Sequence, residues 1–421
     1  MNIEVINTGG ELMLGFVLNS HQQWLCRQLA DLGYVVTRQI AIADTAGAIC
    51  EAVLEALGRA ELIIVTGGLG PTADDITREK IAELLGRRLH EDPTVLANIE
   101  AFFAAHHRPM PPRTRVQALV PDGAIVLPNH HGTAPGLAIV VEVNQSGEKP
   151  KRRLLVLLPG PPRELHPMFT NEVLPLLLER FPLEDAFACR ILRTTGLGES
   201  VVEERIASPL QALVAQGLEV GFCAHTGEVD VRLVARGERA EELVSEAEQL
   251  VRTHVGKHVF GQNDDQLEAV IVRLLSERKQ TLALAESCTG GFIAHRITNV
   301  PGASAVFLSG LVTYSNEAKE QLLGVRPATL ASHGAVSEAA AREMAEGARA
   351  RTQADYALAV TGIAGPTGGS KAKPVGTVHI ALATAWNTNV LHRLNPYDRE
   401  TFKHVAAQQA LELLRQTLLA G

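Results

Sequence analysis

Aromatic side chains make up only 4% of the 421 residues, so the cores must be filled by Leu, Val, Ala and Ile. The five cysteines, Cys26, Cys50, Cys189, Cys223 and Cys288, are scattered and odd in number. That argues against a disulfide framework or a zinc cluster and fits a reducing cytoplasm, the expected location. No run reaches the ~18 apolar residues of a membrane span, so no membrane partner is expected. The first residues, Met1-Asn2-Ile3-Glu4-Val5, carry no basic region or cleavage site, and no signal peptide is expected. Basic residues do not dominate: the formal net charge is −8, with no basic stripe to offset it. Direct binding to nucleic acid is therefore not expected.

The length predicts two or three domains, each able to bury its own core. Residues 1–170 alternate short apolar runs with helical patterns. Strands are predicted at Ile3–Asn7, Val35–Ala41, Leu62–Thr66, Leu137–Val143 and Leu154–Leu158, and helices at 20–32, 46–58, 75–86 and 93–106. Asn144–Arg153 reads as a hairpin loop. Such alternation predicts a three-layer α/β sandwich. Residues 171–261 read as a small α+β module, with an alternating strand GEVDVRL at 227–233. Residues 262–421 return to α/β alternation, with a strand at 281–286, helix 290–298, strand 306–314 and strand 356–361.

The most informative stretch is LALAESCTGG (282–291), where an apolar run ends in a hydroxyl, a thiol and a glycine turn into a helix. Such a turn aims backbone N–H groups and a positive dipole end at one spot. Two further runs end in polar residues, at Tyr314 and at Thr361-Gly362. If the three strands share a sheet and a direction, Ser287, Tyr314 and Thr361 line one crevice at its carboxyl end. Lys319, five residues past Tyr314, would then point back into it. With no histidine in these motifs, a Ser–Lys or Ser–Tyr–Lys arrangement would activate the serine, and N–H groups at Cys288–Gly291 would hold an oxyanion. Each residue alone has a structural explanation: Ser287 as a helix cap, Tyr314 as an edge tyrosine, Lys319 as a solvated lysine. Cys288 is the rival nucleophile.

The stretches AESCTGG (285–291), TYSNEAKEQLLGV (313–325), HGAVSE (333–338), TGIAGPTGG (361–369) and KPVGTVHIALA (373–383) together resemble the CinA C-terminal family of nicotinamide mononucleotide (NMN) deamidases. The resemblance implies hydrolysis of the NMN carboxamide to nicotinate mononucleotide and ammonia, with no cofactor. It implies Ser287 as nucleophile, Tyr314 and Lys319 as the proton-transfer candidates, and Thr361 positioning the carboxamide or oxyanion. The substrate-binding residues would be Cys288, Thr289, Gly290, Gly291, Gly362 and Arg399. NPYDRE (395–400) carries Tyr397 where the family has a glycine before Asp-Arg.

In the first half, TGGLGPTADDIT (66–77), NHHGTAPG (129–136) and LLPGPPRE (157–164) are glycine-rich loops beside strands. They resemble the molybdopterin-binding fold of MoaB and MogA, in the variant at the N-terminus of full-length CinA proteins. Some members of that family hydrolyse ADP-ribose with divalent or potassium ions. The resemblance implies a nucleotide site of Glu11, Gly68, Gly70, Thr72, Asp74, Asp75, Thr133, Gly160 and Glu164, with Asp74 and Asp75 as candidate metal ligands. TGGELMLG (8–15) has Gly10 where the family carries a side chain before the glutamate. His106-His107 and His130-His131 lack metal-ligand spacing.

RTTGLGES (193–200) and GEVDVRL (227–233) resemble the KH-like linker of full-length CinA, with acidic rather than basic flanks. The expected architecture is thus two three-layer α/β sandwiches joined by a KH-like α+β domain, in a homodimer. Two other readings stand beside it: a non-catalytic nucleotide- or pterin-binding protein, and a protein partner of the recombination machinery.

Overall fold

The computed structural model describes residues 1–143 and 151–420, so the turn of the expected hairpin loop, 144–150, lies outside the described residues. The chain forms two compact units, Met1–Phe187 and Ala188–Gly421.

The first unit is built on a six-stranded sheet in the order β2-β1-β3-β8-β7-β6. Its strands are β1 (Ile3–Thr8), β2 (Val36–Ile42), β3 (Leu62–Thr66), β6 (Ala124–Leu127), β7 (Gly136–Val143) and β8 (Lys151–Leu158), while β4 (Leu89–Glu91) and β5 (Leu119–Pro121) form a separate pair. Strands β2, β1, β3 and β8 are parallel; β7 pairs antiparallel with β8, and β6 pairs antiparallel with β7. Buried on both faces, β3 reads as an apolar run, as central parallel strands do, while the equally buried β1 carries Glu4, paired with Arg59, and Asn7, which donates to Thr66 Oγ1 at 2.7 Å. Helices α1 (Gly10–Met13) to α7 (Leu174–Arg180) include α2 (Ser20–Asp31), α3 (Ala46–Arg59), α4 (Thr77–Leu84), α5 (Pro93–Ala105) and α6 (Pro162–Met168). Asp92 caps α5 through the Thr94 and Val95 N–H groups, with Pro93 in the first turn. The unit extends past residue 170 because Val173 and Leu177 join Leu25, Leu29 and Phe169 in its core.

In the second unit, a four-stranded sheet in the order β10-β11-β9-β12 comes first: β9 (Phe187–Thr195), β10 (Glu219–His225), β11 (Glu228–Arg236) and β12 (Val259–Gln262). Helices α8 (Glu199–Val214) and α9 (Ala240–Val255) share its core. A five-stranded sheet follows, β14-β13-β15-β16-β17, made of β13 (Leu282–Glu286), β14 (Phe307–Val312), β15 (Tyr356–Gly362), β16 (Thr377–Ala383) and β17 (Thr388–Leu394). The first three are parallel; β16 pairs antiparallel with β15, and β17 pairs antiparallel with β16. Helices α10 (Leu267–Arg278), α11 (Phe292–Thr298) and α15 (Arg399–Ala420) cover one face. On the other face lies α14 (Glu338–Thr352), with α12 (Asn316–Leu323) and α13 (Pro327–His333).

The α14 face is a layer of alanines. Ala283, Ala285, Ala357, Ala359, Ala381 and Ala383 from the sheet meet Ala340, Ala341, Ala345 and Ala348 from α14. Small side chains let the helix approach closely; a Cβ at Gly347 would overlap the Leu323 carbonyl. Because side chains alternate along a strand, the residues two beyond Ala285 and Ala359, Ser287 and Thr361, fall on this same face. Glu286 falls on the other.

Candidate active site

Both α/β sheets change winding direction beside a central strand. In the second unit the chain passes from β13 to β14 on one side and then crosses to β15 on the other. The gap between the carboxyl ends of β13 and β15 is the switch point where open α/β sheets bind ligands. Ser287 follows β13, its N–H donating to the Val360 carbonyl at 2.9 Å, and Thr361 lies at the end of β15.

Lys319, on α12, is 1% exposed. Its Nζ donates to Ser287 Oγ at 3.1 Å and to the carbonyls of Thr313 at 2.8 Å and Tyr314 at 3.5 Å. Among the described residues it has no carboxylate partner. Burial therefore holds its ammonium below the ordinary lysine range, which favours a neutral amine able to take the serine proton. Ser315 caps α12 by accepting from the Ala318 N–H, and this fixes the helix start that aims Lys319 inward.

Cys288 lies on the opposite face, buried among Leu284, Ile293 and Ile297. Burial pushes its thiol up to about 12, so it is not a thiolate at neutral pH. The structure thus separates two adjacent nucleophile candidates by their environments.

The helix-start donors are not all free. The buried Glu286 carboxylate accepts from the N–H groups of Gly291 at 3.0 Å, Ile293 at 3.1 Å and Ala294 at 2.8 Å. Gly290 N–H donates to the Ser287 carbonyl at 3.1 Å. This corrects the expected oxyanion site: Gly290 and Gly291 supply the turn, at φ +64° and +93°, but their N–H groups are satisfied within it. The N–H groups of Cys288 and Thr289 point to the Cys288 sulfur, so they are engaged as well. The fully buried hydroxyls of Thr289 and Thr313 have no protein partner among the described residues, so a bound ligand or water would complete them.

Tyr314 and Lys319 do not form a phenol–amine pair. Tyr314 is 62% exposed, and its hydroxyl accepts from Arg399 Nη2 at 2.8 Å. Arg399 also donates to the Gly365 carbonyl at 2.9 Å, so it stands at the mouth of the crevice despite Tyr397 two residues earlier. Thr361 donates its hydroxyl to the Ala335 carbonyl at 2.8 Å, leaving lone pairs but no proton for a ligand. Gly362 has no space for a side chain, since a Cβ would lie 2.8 Å from the Thr377 carbonyl oxygen.

Two further candidates, Glu286 and Lys403, stand outside the residues that the sequence motifs single out. Glu286 ends an otherwise apolar strand, and a lone carboxylate there is a legible cap. Lys403, one helical turn after Arg399 on α15, shares a cavity of about 410 Å³ with Arg399, Phe292, Glu400 and His404. Its Nζ lies 3.9 Å from where a Cβ on Gly290 would be. The i,i+4 spacing of the two cations was the available signal.

In the first unit, the chain winds from β1 to β2 and back across to β3, and a cavity of about 370 Å³ sits at that switch point. Glu11, Gly68, Gly70, Asp74, Asp75, Thr133, Gly160 and Glu164 all line it, joined by Asp44 and Gln117. Thr72 does not line it; it braces the turn, its hydroxyl donating to Asp74 and Asp75 and its N–H to Asp75 Oδ2 at 2.9 Å. The Thr72 hydroxyl holds the Asp74 carboxyl below its ordinary range. Gly70 and Gly132 admit no Cβ, which would overlap the carboxylates of Asp75 and Glu164 respectively. Gly10 N–H donates to Asp44 Oδ2 at 2.7 Å, so the glycine in TGGELMLG closes the loop through its backbone.

The expected cation ligands Asp74 and Asp75 do not fit a ready metal centre. Both face Thr72, and among the described residues no three acidic, cysteine or histidine side chains converge. The cavity is lined by five carboxylates and by no Lys, Arg or His. No pyrophosphate-cleaving step follows from this arrangement.

Among the described residues, no helix is long and apolar enough to cross a membrane. Family models match almost the whole chain in three pieces: "Probable molybdopterin binding domain" at residues 4–179, "Damage-inducible protein CinA KH domain" at 189–261 and "CinA C-terminal domain" at 264–418. A CinA-like protein of Akkermansia muciniphila is 43% identical over 98% of this chain and 96% of its own. Another, of Kosmotoga olearia, is 40% identical over 100% of this chain and 99% of its own. The crystal structure of competence/damage inducible protein CihA from Agrobacterium tumefaciens is 44% identical over 36% of this chain and 92% of that one, with a TM-score of 0.34. Full-length similarity at this level, in the same three-part order, places the chain in the CinA family.

Proposed function

We propose that the C-terminal module is an amidohydrolase that deamidates NMN through a Ser287–Lys319 dyad. The observation that carries this reading is the buried, carboxylate-free Lys319 amine 3.1 Å from Ser287 Oγ. Neutral Lys319 accepts the Ser287 proton as Oγ attacks the carboxamide carbon. The attack forms a tetrahedral intermediate. Collapse breaks the C–N bond, and the Lys319 ammonium returns its proton to the departing ammonia. Water then attacks the acyl-serine, with Lys319 again taking the proton, and releases nicotinate mononucleotide. Arg399 and Lys403 hold the phosphate, while the Tyr314 hydroxyl steadies Arg399.

Incubation with NMN and measurement of ammonia tests the reading, with Ser287→Ala and Cys288→Ala in parallel. Ser287→Ala is expected to lose about a thousand-fold or more in turnover, the scale of nucleophile removal. Loss in Cys288→Ala alone sinks the serine assignment. No ammonia from the unmodified protein, with NMN bound, would favour a ligand-binding role instead.

A further inference from the structure

The phosphate pocket does not end at Lys403. Phe292 and His404, which line it with Arg399, also line a larger cleft of about 940 Å³. One wall of that cleft is the C-terminal module, presenting Phe292, His295, Tyr397 and His404. The opposite wall is the β10–β11 turn of the middle module, with His225.

The cleft's charges are matched within the protein. Arg193 pairs with Glu228 and Asp230, each at 2.6 Å, and Arg296 pairs with Glu268 at 2.6 Å. Gln408, on α15, donates to Glu228 Oε1 at 2.9 Å and to Thr195 Oγ1 at 3.2 Å, and locks the two modules together. What the cleft offers a ligand is therefore ring faces rather than free cations. Rings with a neutral surround suit a nucleobase, which stacks on aromatic and imidazole faces. The two cations, Arg399 and Lys403, line the phosphate pocket beside Phe292 and His404, the rings it shares with the cleft, and two cations match the two charges of a pyrophosphate.

We propose that this cleft seats a second nucleoside joined through the phosphate, so that the C-terminal site binds pyridine dinucleotides as well as the mononucleotide. The inference concerns binding and rests on the reading of the Ser287 crevice as a pyridine-nucleotide site. Gly290, three residues after Ser287, lies beside Lys403, and Lys403 lines the pocket whose Phe292 and His404 also line the cleft. Its volume lies at the upper end of the range for small-molecule sites, about 300–1,000 Å³.

The test uses the full chain and reads ammonia release from NMN with NAD+ added. NAD+ should compete with NMN. His225→Ala, on the far wall, should weaken that competition roughly ten-fold, while the KM for NMN shifts by much less. His295→Ala, on the near wall, is the second variant and guards against a folding defect in the first. Turnover of NMN that NAD+ does not inhibit overturns the proposal, as does inhibition equally strong in both variants. Absence of ammonia release instead counts against the deamidase reading. NAD+ affinity is then read by calorimetry, and equal affinity in the unmodified protein and both variants overturns the cleft assignment.

Discussion

Lys319 Nζ lies 3.1 Å from Ser287 Oγ, and its other partners are the main-chain carbonyls of Thr313 and Tyr314. A buried amine surrounded by neutral acceptors is easier to deprotonate than an ordinary lysine. If neutral Lys319 is the base, activity rises with pH through the lysine's pKa. Because that pKa is lowered, the rise falls below the pH at which a solvated lysine titrates. A kcat/KM profile with NMN checks this, and Lys319→Met should abolish the limb with a loss of about a thousand-fold or more.

Tyr314→Phe should be mild. The phenol serves Arg399, not Ser287, so its removal is expected to raise KM by roughly ten-fold or less and to leave kcat within a similar factor. A loss in kcat as deep as that of Lys319→Met would return Tyr314 to the proton path.

Arg399→Ala should act through the phosphate. Removing a charge-assisted contact of about 1.5–3 kcal/mol predicts a KM for NMN raised about ten- to a hundred-fold. Nicotinamide riboside, which lacks the phosphate, should be turned over equally by both proteins. A selective fall in riboside turnover would place Arg399 elsewhere in the mechanism.

Glu286→Ala removes the acceptor of three N–H groups at the start of α11. Leaving buried donors unpaired costs about 1–3 kcal/mol each at most, so a clear drop in Tm is expected, together with lost activity as the Ser287 turn loosens. Glu286→Gln keeps an acceptor and should recover much of both. An unchanged Tm in Glu286→Ala would refute the capping role.

Gly347→Ala probes the packing of α14 on α12. The new Cβ would overlap the Leu323 carbonyl, so α14 must move away from α12, the helix that carries Lys319. Overpacking of this kind costs about 1–3 kcal/mol, read by thermal or urea unfolding. A neutral result would show that the helix relaxes without cost.

Most secondary elements were legible in the sequence. Leu62–Thr66 forms β3 with the predicted bounds, because a short apolar run between turn residues is a signal carried by a few neighbouring positions. The domain edge at 170 was not legible in the same way. Val173 and Leu177 look like the start of a new helix, and only their contacts with Leu25 and Leu29 assign them to the first unit.

For the site, the sequence determined which chemical groups are available: a serine beside a thiol in a glycine turn, a lysine on the following helix, an arginine near the C-terminus. Tertiary structure decided what each can do. Burial of Cys288 on one face and of Lys319 on the other set their proton affinities in ways that local sequence does not encode. Sheet order brought Ser287 and Lys319 within hydrogen-bond reach across 32 residues, and sent the Tyr314 phenol 85 residues along the chain to Arg399. Glu286, next to Ser287, takes up helix-start donors that a Gly-rich turn in isolation would offer a ligand. Composition and periodicity are local properties; desolvation and side-chain pairing depend on what the fold packs against each residue.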